Sequence, residues 1–245
     1  MRVGIITDVH GNLVALETVL ADMGEVDAIW CLGDIVGYGP WPNECIKLVR
    51  ERASQIIAGN HDLATIGSPL VELDDFNADA AAMTKWTASQ LSPESSAFLE
   101  DLAPIQDVGD VTLAHGSPRR PVWEYLLSSA AAAESFEYFR GKLCLVGHTH
   151  IPSLFVSRID GEVSADYMQA DTTFESGELR CIANPGSVGQ PRDHDPRAAY
   201  LVVDQNGGGA TLTWRRVPYD IPAVQAEMRK VGLPQFFIER LELGV

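Results

Sequence analysis

The sequence predicts an α/β fold in which two sheets pack face to face with helices outside, as one domain over residues 1–245. Three observations predict it. Three strand–loop–helix units follow one another from residue 2 to the Gly59-Asn60-His61-Asp62 stretch, the pattern of a βαβ layer with a largely parallel sheet. A second set of strand-like runs, alternating apolar and polar, fills the later part of the chain up to residue 216. Two further helical segments, around 221–231 and 234–242, close it.

The first unit begins with the apolar run 2–6, broken by Asp8-Val9-His10-Gly11-Asn12. Leu13, Leu16, Val19 and Leu20 follow at helical spacing, with Asn12 placed to cap. A second apolar run, Ala28–Leu32, ends in Gly33-Asp34, and a helix started by Pro42 runs to Ala53. The third run, Gln55–Ala58, ends in Gly59-Asn60-His61-Asp62. Residues 74–103 read as helix in two pieces split near Pro93, and 108–114 as a tight turn leading into a strand that closes at His115-Gly116-Ser117-Pro118. Ala130–Arg140 reads as helix and Lys142–Val146 as a strand ending in Gly147-His148-Thr149-His150. Leu154–Val156, Leu179–Ala183, Ala199–Val203 and Thr211–Arg216 alternate as strands, with Gly207-Gly208-Gly209 turning between the last two.

Composition narrows the function. Hydrophobic residues make up 46% of the chain and charged residues 21%, ordinary values for a globular protein with a real core. The net charge of −16, from 34 acidic against 18 basic side chains, repels nucleic acid, whose binding rests on Lys and Arg neutralising phosphates. Phosphate chemistry on such a chain therefore needs local cations. Cys31, Cys45, Cys144 and Cys181 lack CxxC spacing and mostly sit in apolar runs, which argues against a disulfide framework or a cysteine zinc site. The first residues go straight into a strand pattern, and no apolar run is long enough for a bilayer. The expected setting is cytoplasmic and reduced, with no membrane partner; the oligomeric state stays open.

The chemistry lies in the loops. His10, His61, His115, His148 and His150 each follow a strand-like run directly, beside Gly, Asp or Asn; His194 lies elsewhere. Ligands of open α/β sheets bind outside the carboxyl ends of the strands, so polar residues from five strand ends converge there. Asp8 and His10, two apart, point to one side, and one ion can take both. Asp34 has two oxygens, enough to bridge two cations. Asn60 offers a neutral carbonyl oxygen, and His115, His148 and His150 offer imidazole nitrogens, His150 being placed to reach the ion held by Asp8. Mixed carboxylate and imidazole ligation suits manganese, iron, zinc or nickel rather than calcium. Each piece alone is often a simple turn; it is their joint occurrence at five strand ends that signals a metal site.

These motifs, Asp8-x-His10, Gly33-Asp34, Gly59-Asn60-His61-Asp62, His115 and Gly147-His148-x-His150, stand in the order and approximate spacing of the calcineurin-like metallophosphoesterases, which the chain resembles from residue 3 to about 190. The likeness is nearest to the small bacterial and archaeal phosphodiesterase branch. It implies a four-layer α/β/β/α sandwich of two packed mixed sheets with flanking helices. It also implies two divalent transition-metal ions, one held by Asp8, His10, Asp34 and His150, the other by Asp34, Asn60, His115 and His148. The implied reaction is hydrolysis of a phosphoester in a small phosphorylated substrate, a nucleotide among the candidates, by in-line attack of metal-bound hydroxide. Asp34, Asn60 and His61 form the catalytic group, with His61 assisting the leaving group. One departure stands out: the protein-phosphatase branch carries an orienting Asp three residues after the position of Asp34, where this chain has Gly37.

Around this centre, Tyr38 in Gly37-Tyr38-Gly39-Pro40 is placed to stack on a base or leaving group. Asn184-Pro185-Gly186-Ser187-Val188-Gly189 resembles the Asn-Pro-Gly-Ser stretch of the same branch, which makes Asn184 and Ser187 substrate-binding candidates. Arg192, and after it Arg119 and Arg120, are candidates for the positive charge an acidic protein needs near phosphate. Trp123 and Tyr125 read mainly as core packing. The resemblance leans towards a phosphodiester, with a phosphomonoester or a nucleotide anhydride as alternatives. From another class, a non-catalytic metal-binding scaffold would be signalled by lost ligands, whereas every ligand position here is filled. A nuclease of the same superfamily fits poorly with the −16 charge.

Overall fold

The structure is a computed structural model that describes the chain except Ile159 and the side chain of Asn206. Strand β1 (Arg2–Ile6), helix α1 (Leu13–Asp22), β2 (Ala28–Cys31), α2 (Pro42–Arg52), β3 (Gln55–Ile56) and α3 (Asn60–Thr65) form the first layer pair. Helices α4 (Ala78–Gln90) and α5 (Pro93–Glu100) lead to β4 (Ile105–Val108) and β5 (Val111–Ala114), followed by α6 (Ser129–Ser135) and β6 (Leu143–Leu145). Then come β7 (Ser153–Ser157), β8 (Val163–Tyr167), β9 (Thr173–Glu175), β10 (Arg180–Asn184), β11 (Ala198–Asn206), β12 (Gly209–Val217), α7 (Ile221–Lys230) and α8 (Gln235–Leu243).

The strands make two six-stranded sheets, in the orders β3-β2-β1-β11-β12-β9 and β4-β5-β6-β10-β7-β8. Both are mixed. The βαβ units give parallel pairing of β1 with β2 and of β2 with β3, whereas β11 returns antiparallel to β1. In the second sheet β6 lies parallel to both β5 and β10, a hairpin adds β4 at one edge, and β7 lies antiparallel to β10 and forms a hairpin with β8 at the other edge.

Period-two alternation explains the layering. Val3 and Ile5 of β1, Leu201 and Val203 of β11, and Leu212 and Trp214 of β12 face the other sheet, meeting Leu113, Leu145, Leu154 and Ala183. The opposite face of the first sheet, including Ile6, Cys31 and Val202, packs on Leu16 and Val19 of α1 and Cys45, Ile46 and Val49 of α2. Ala132 of α6 and Phe136 cover Cys144, Phe155 and Ile182 of the second sheet. Burying a side chain of this size contributes roughly 1.5–3 kcal/mol, so the apolar layer between the sheets dominates what holds them together. The result is the expected four layers, helix on sheet on sheet on helix.

Several local expectations change. The stretch before β5 is itself a strand, β4, so 105–114 is a hairpin rather than a turn entering a strand. The short strands β8 and β9 carry mostly exposed residues and lack an apolar alternation that would have marked them. The helix expected over 130–140 ends at Ser135 and tightens into a 3-10 turn, Phe136–Tyr138. All four cysteines are free and buried, as small apolar groups. Among the described residues, no helix is long and apolar enough to cross a membrane.

Candidate metal centre

The strand ends of the two sheets meet at one edge, and their loops are tied together by backbone bonds. Asp8 and His10 N–H donate to Gly33 and Asp34 carbonyls at 3.0 and 2.9 Å, Gly189 N–H donates to the Asp8 carbonyl at 2.9 Å, and Gly147 N–H to the His115 carbonyl at 2.8 Å. Asp8, His10, Asp34, Tyr38, His148 and His150 all adopt left-handed backbone, with φ from 50° to 65°. Such conformations are costly for residues with a Cβ and persist where surrounding structure fixes them, which is how side chains of one short loop come to aim inward together.

Two overlapping groups of buried donors result. The ligand atoms of Asp8, His10, Asp34 and His150 lie within 4.8 Å of one another, and so do those of Asp34, His115 and His148, with Asp34 in both groups. Asn60 Oδ1 sits 3.1 Å from His115 Nε2. The structure thus brings together all seven residues expected from the sequence. Asp8 Oδ2 accepts from Thr7 Oγ1 and the His148 N–H, and Asp34 Oδ1 accepts from the His61 N–H at 2.8 Å. One oxygen of each carboxylate is so anchored, and the other is left facing the cluster.

Protonation geometry tests whether these residues fit metal ions. His10, His115 and His150 each direct Nδ1 at a main-chain carbonyl, of Val36, Leu32 and Gln190, at 3.1, 2.8 and 2.6 Å. A carbonyl only accepts, so each Nδ1 carries the proton and donates it, turning Nε2 inward as metal-binding imidazoles are commonly held. His10 Nε2 and His150 Nε2 then face each other at 3.1 Å with a lone pair each, an arrangement that a cation relieves. Asp8 Oδ1, Asp34 Oδ2 and His148 Nε2 are buried without a hydrogen-bond partner, which costs free energy in a protein interior. Carboxylate and imidazole donors orphaned in this way fit divalent transition metals.

Charge follows the same logic. Burial drives His10 and His150 well below the ordinary imidazole range and His148 down to about 3, so all three are neutral and able to ligate. Burial also lowers His115, but Asp34, Asp8 and the Leu32 carbonyl together more than offset it and lift that group to about 9. Asp34 is correspondingly held well below the carboxylate range: burial raises it, and His115 and His61 outweigh burial. Burial pushes Asp8 up to about 7.

The centre opens into a cleft of about 440 Å³. His61, Tyr38, Trp123, Tyr125, Arg192 and Arg240 are among its lining residues. His61 is buried, and its ring is held by Tyr38 at 4.6 Å, Phe76 at 5.0 Å and His10 at 5.0 Å between centroids. Its Nδ1 has no hydrogen-bond partner. Asp62 does not replace the missing orienting carboxylate: its oxygens accept from the Val36 and Gly59 N–H groups at 3.1 and 2.9 Å. A Cβ at Gly37, whose φ is +97°, would stand 2.9 Å from His61 Nδ1, so the ring occupies space that only glycine leaves.

Other expected residues separate into two sets. Tyr38 and Arg192 line the cleft. Asn184 and Ser187 do not. Asn184 donates to the Gly147 carbonyl and Thr149 Oγ1 at 2.6 and 3.0 Å, and Ser187 donates to the Asp8 carbonyl at 2.8 Å, so both brace the loops that carry ligands. Arg119 is spent on Glu124 and Glu134. Tyr125, read from the sequence as packing, stacks on His148 at 4.0 Å and lines the cleft with Trp123. Arg240, Phe76 and Phe236 were not foreseen. They reach the cleft from distant helical or loop segments, and nothing in their neighbours marks them.

With this geometry in hand, likeness to known proteins is informative. The family model of the calcineurin-like phosphoesterase superfamily domain matches residues 1–208, and the chain belongs to that family. A metallophosphoesterase from Sphaerobacter thermophilus superposes with a TM-score of 0.90 at 44% identity, covering all of both chains. An uncharacterized protein of Methanocaldococcus jannaschii is 36% identical over 99% of this chain and 98% of its own. A symmetrical bis(5'-nucleosyl)-tetraphosphatase of Pectobacterium atrosepticum is 38% identical over 68 residues, 26% of this chain and 24% of its own.

Proposed function

We propose that this calcineurin-like phosphoesterase is a dinuclear metal-dependent hydrolase that cleaves a phosphoester in a small phosphorylated substrate, a nucleotide in particular. The observation that carries the reading is the pair of overlapping donor groups sharing Asp34, with buried oxygens and nitrogens that lack partners. Asp8, His10, Asp34 and His150 would hold one ion, and Asp34, Asn60, His115 and His148 the other. Two such cations neutralise phosphoryl oxygens and make hydroxide available near neutral pH.

The chain's own residues supply the rest. Main-chain carbonyls fix the tautomers of His10, His115 and His150, so their Nε2 atoms are preorganised before any ligand arrives. The His61 N–H locks Asp34, and the aromatic rings around His61 hold its imidazole at the rim. Burial lowers His61 to about 4, so at neutral pH it acts as a neutral N–H donor to the leaving oxygen. Arg192 brings positive charge to the cleft of an acidic protein. A cleft lined by Tyr38, Phe76, Trp123 and Tyr125 suits a substrate with a flat, stackable group, which together with the partial likeness to a tetraphosphatase supports a nucleotide.

The test is metal content with activity. Purified protein should carry about two transition-metal ions per chain and hydrolyse bis(p-nitrophenyl) phosphate, and Asp34→Asn should lose both ions and the activity together. Full activity in metal-free protein would overturn the reading.

A further inference from the structure

Two arginines, Arg192 and Arg240, line the cleft, and neither has a side-chain carboxylate within ion-pair distance among the described residues, although the chain carries 34 acidic side chains. Some arginines elsewhere in the protein are neutralised, Arg119 by Glu124 and Glu134, Arg197 by Asp195 and Arg216 by Asp193. The Arg192 guanidinium donates to the neutral Gln190 Oε1 at 2.8 Å, and its Nε is buried with no partner. Arg240 donates to a main-chain oxygen of Val245, the last residue of the sequence, and lies over the Phe236 ring at 5.3 Å. Two half-buried guanidinium groups held near each other repel, so a site of this kind is at its most stable with an anion between them.

The Arg192 N–H donates to the carbonyl of His150 at 3.3 Å, and its guanidinium stands 5.9 Å from the Tyr38 ring. Its charge is felt at Asp8, His10, His61, His148 and His150. Arg240 interacts with Arg192 and Tyr38. It sits on α8, beyond the residues 1–208 that the family model matches. The exposed Asp75 and Asp79 also line the cleft and repel an anion from their part of the rim.

We propose that Arg192 and Arg240 form a second anion subsite that holds a phosphate adjoining the one attacked, so that the substrate class is a phosphate chain, as in a nucleoside polyphosphate. This rests on the phosphoesterase reading above and names its substrate, with a phosphoanhydride of the chain as the bond attacked in place of an ester. In such a reaction one water adds: its oxygen bonds to the attacked phosphorus while the bridging P–O bond breaks. The leaving phosphate keeps the bridging oxygen with the electron pair, and the released proton goes to solvent.

The experiment compares a dinucleoside tetraphosphate with bis(p-nitrophenyl) phosphate, which has one phosphate, on the manganese-loaded full-length protein. Losing one charged contact to a phosphate should raise the Michaelis constant for the tetraphosphate by about tenfold or more in Arg240→Gln. The rise should exceed by at least about fivefold whatever change the single-phosphate ester shows, and Arg240→Lys should recover part of it. Equal changes on both substrates, or none on the tetraphosphate, would overturn the subsite. Equilibrium binding of ADP and of AMP, which differ by one phosphate, separates this from the parent reading. If the wild type hydrolyses neither ester the phosphoesterase reading fails, while loss of a preference for ADP over AMP in Arg240→Gln still supports the subsite, and an unchanged preference removes it. Arg240→Met, which keeps the aliphatic stem over Phe236, guards against a variant that merely loosens α8.

Discussion

Asp34 Oδ1 accepts the backbone N–H of His61 at 2.8 Å, so the carboxylate shared by both donor groups also seats the imidazole at the rim. One contact fixes both the carboxylate and the backbone that carries the ring, which couples the proposed metal-bridging and leaving-group roles. A substitution at either residue is therefore read with metal content measured alongside turnover.

His61→Ala should retain metal and lower turnover by roughly 10²-fold on alkyl phosphoesters, with a much smaller loss on nitrophenyl esters, because a good leaving group needs no proton donor. The ring makes no side-chain hydrogen bond through Nδ1 and is held mainly by Tyr38, Phe76 and His10. Equal losses on both kinds of ester would remove His61 from leaving-group chemistry.

Gly37→Ala tests the space beside that ring. The new Cβ would meet His61 Nδ1 at 2.9 Å, on backbone with φ of +97°, and residues with a Cβ cost roughly 1–3 kcal/mol in such regions. The expected variant is folded, loaded with metal and impaired as His61→Ala is, on poor leaving groups first. Wild-type kinetics on alkyl esters would show that the ring tolerates displacement.

Asn184→Ala should act through the ligand loop. It removes donors to the Gly147 carbonyl and Thr149 Oγ1 and the acceptor of the buried Gly186 N–H, which is left unsatisfied at roughly 1–3 kcal/mol. Thermal unfolding should fall by several degrees, at about 2–4 °C per kcal/mol for a chain of this size. Metal affinity should fall with it, since His148 and His150 flank Thr149. A stability loss with metal affinity unchanged would make Asn184 a fold residue alone.

Metal binding should become tighter as pH rises. Without metal, His115 holds a proton up to about 9 and Asp8 up to about 7, each raised above its ordinary value. A raised folded pKa favours the fold while the proton is on, so metal-free stability is present at low pH. It is lost as pH climbs from about 4 to 7 for Asp8 and from 6.5 to 9 for His115. Metal needs the deprotonated forms, so between pH 7 and 9 the logarithm of its affinity should gain about one unit per pH unit. Titration calorimetry in buffers of different ionisation enthalpy should record proton release near pH 7, and a heat independent of buffer would contradict the assigned protonation.

The sequence by itself determined the centre of this protein. Turn-forming Gly, Asp and Asn beside His at successive strand ends are local features, and the rule that such ends share one edge of a sheet turns them into a site without coordinates. The strand and helix patterns around Ile5, Leu16 and Leu201 were legible for the same reason, since alternation and helical spacing are properties of neighbouring residues. What lies far apart in the chain and shows no periodicity was decided only in three dimensions. Arg240 and Phe236 carry no local mark, and α8 brings them to the cleft by packing on α7 through Phe237, Ile238 and Leu241. Asn184 and Ser187 looked like substrate contacts because a glycine-rich turn can cradle an anion. Burial against Gly147 and Asp8 commits their hydrogen bonds to the backbone instead. Side-chain donors satisfy whichever acceptor the fold brings near, and that choice is settled by tertiary contacts rather than by the residues on either side.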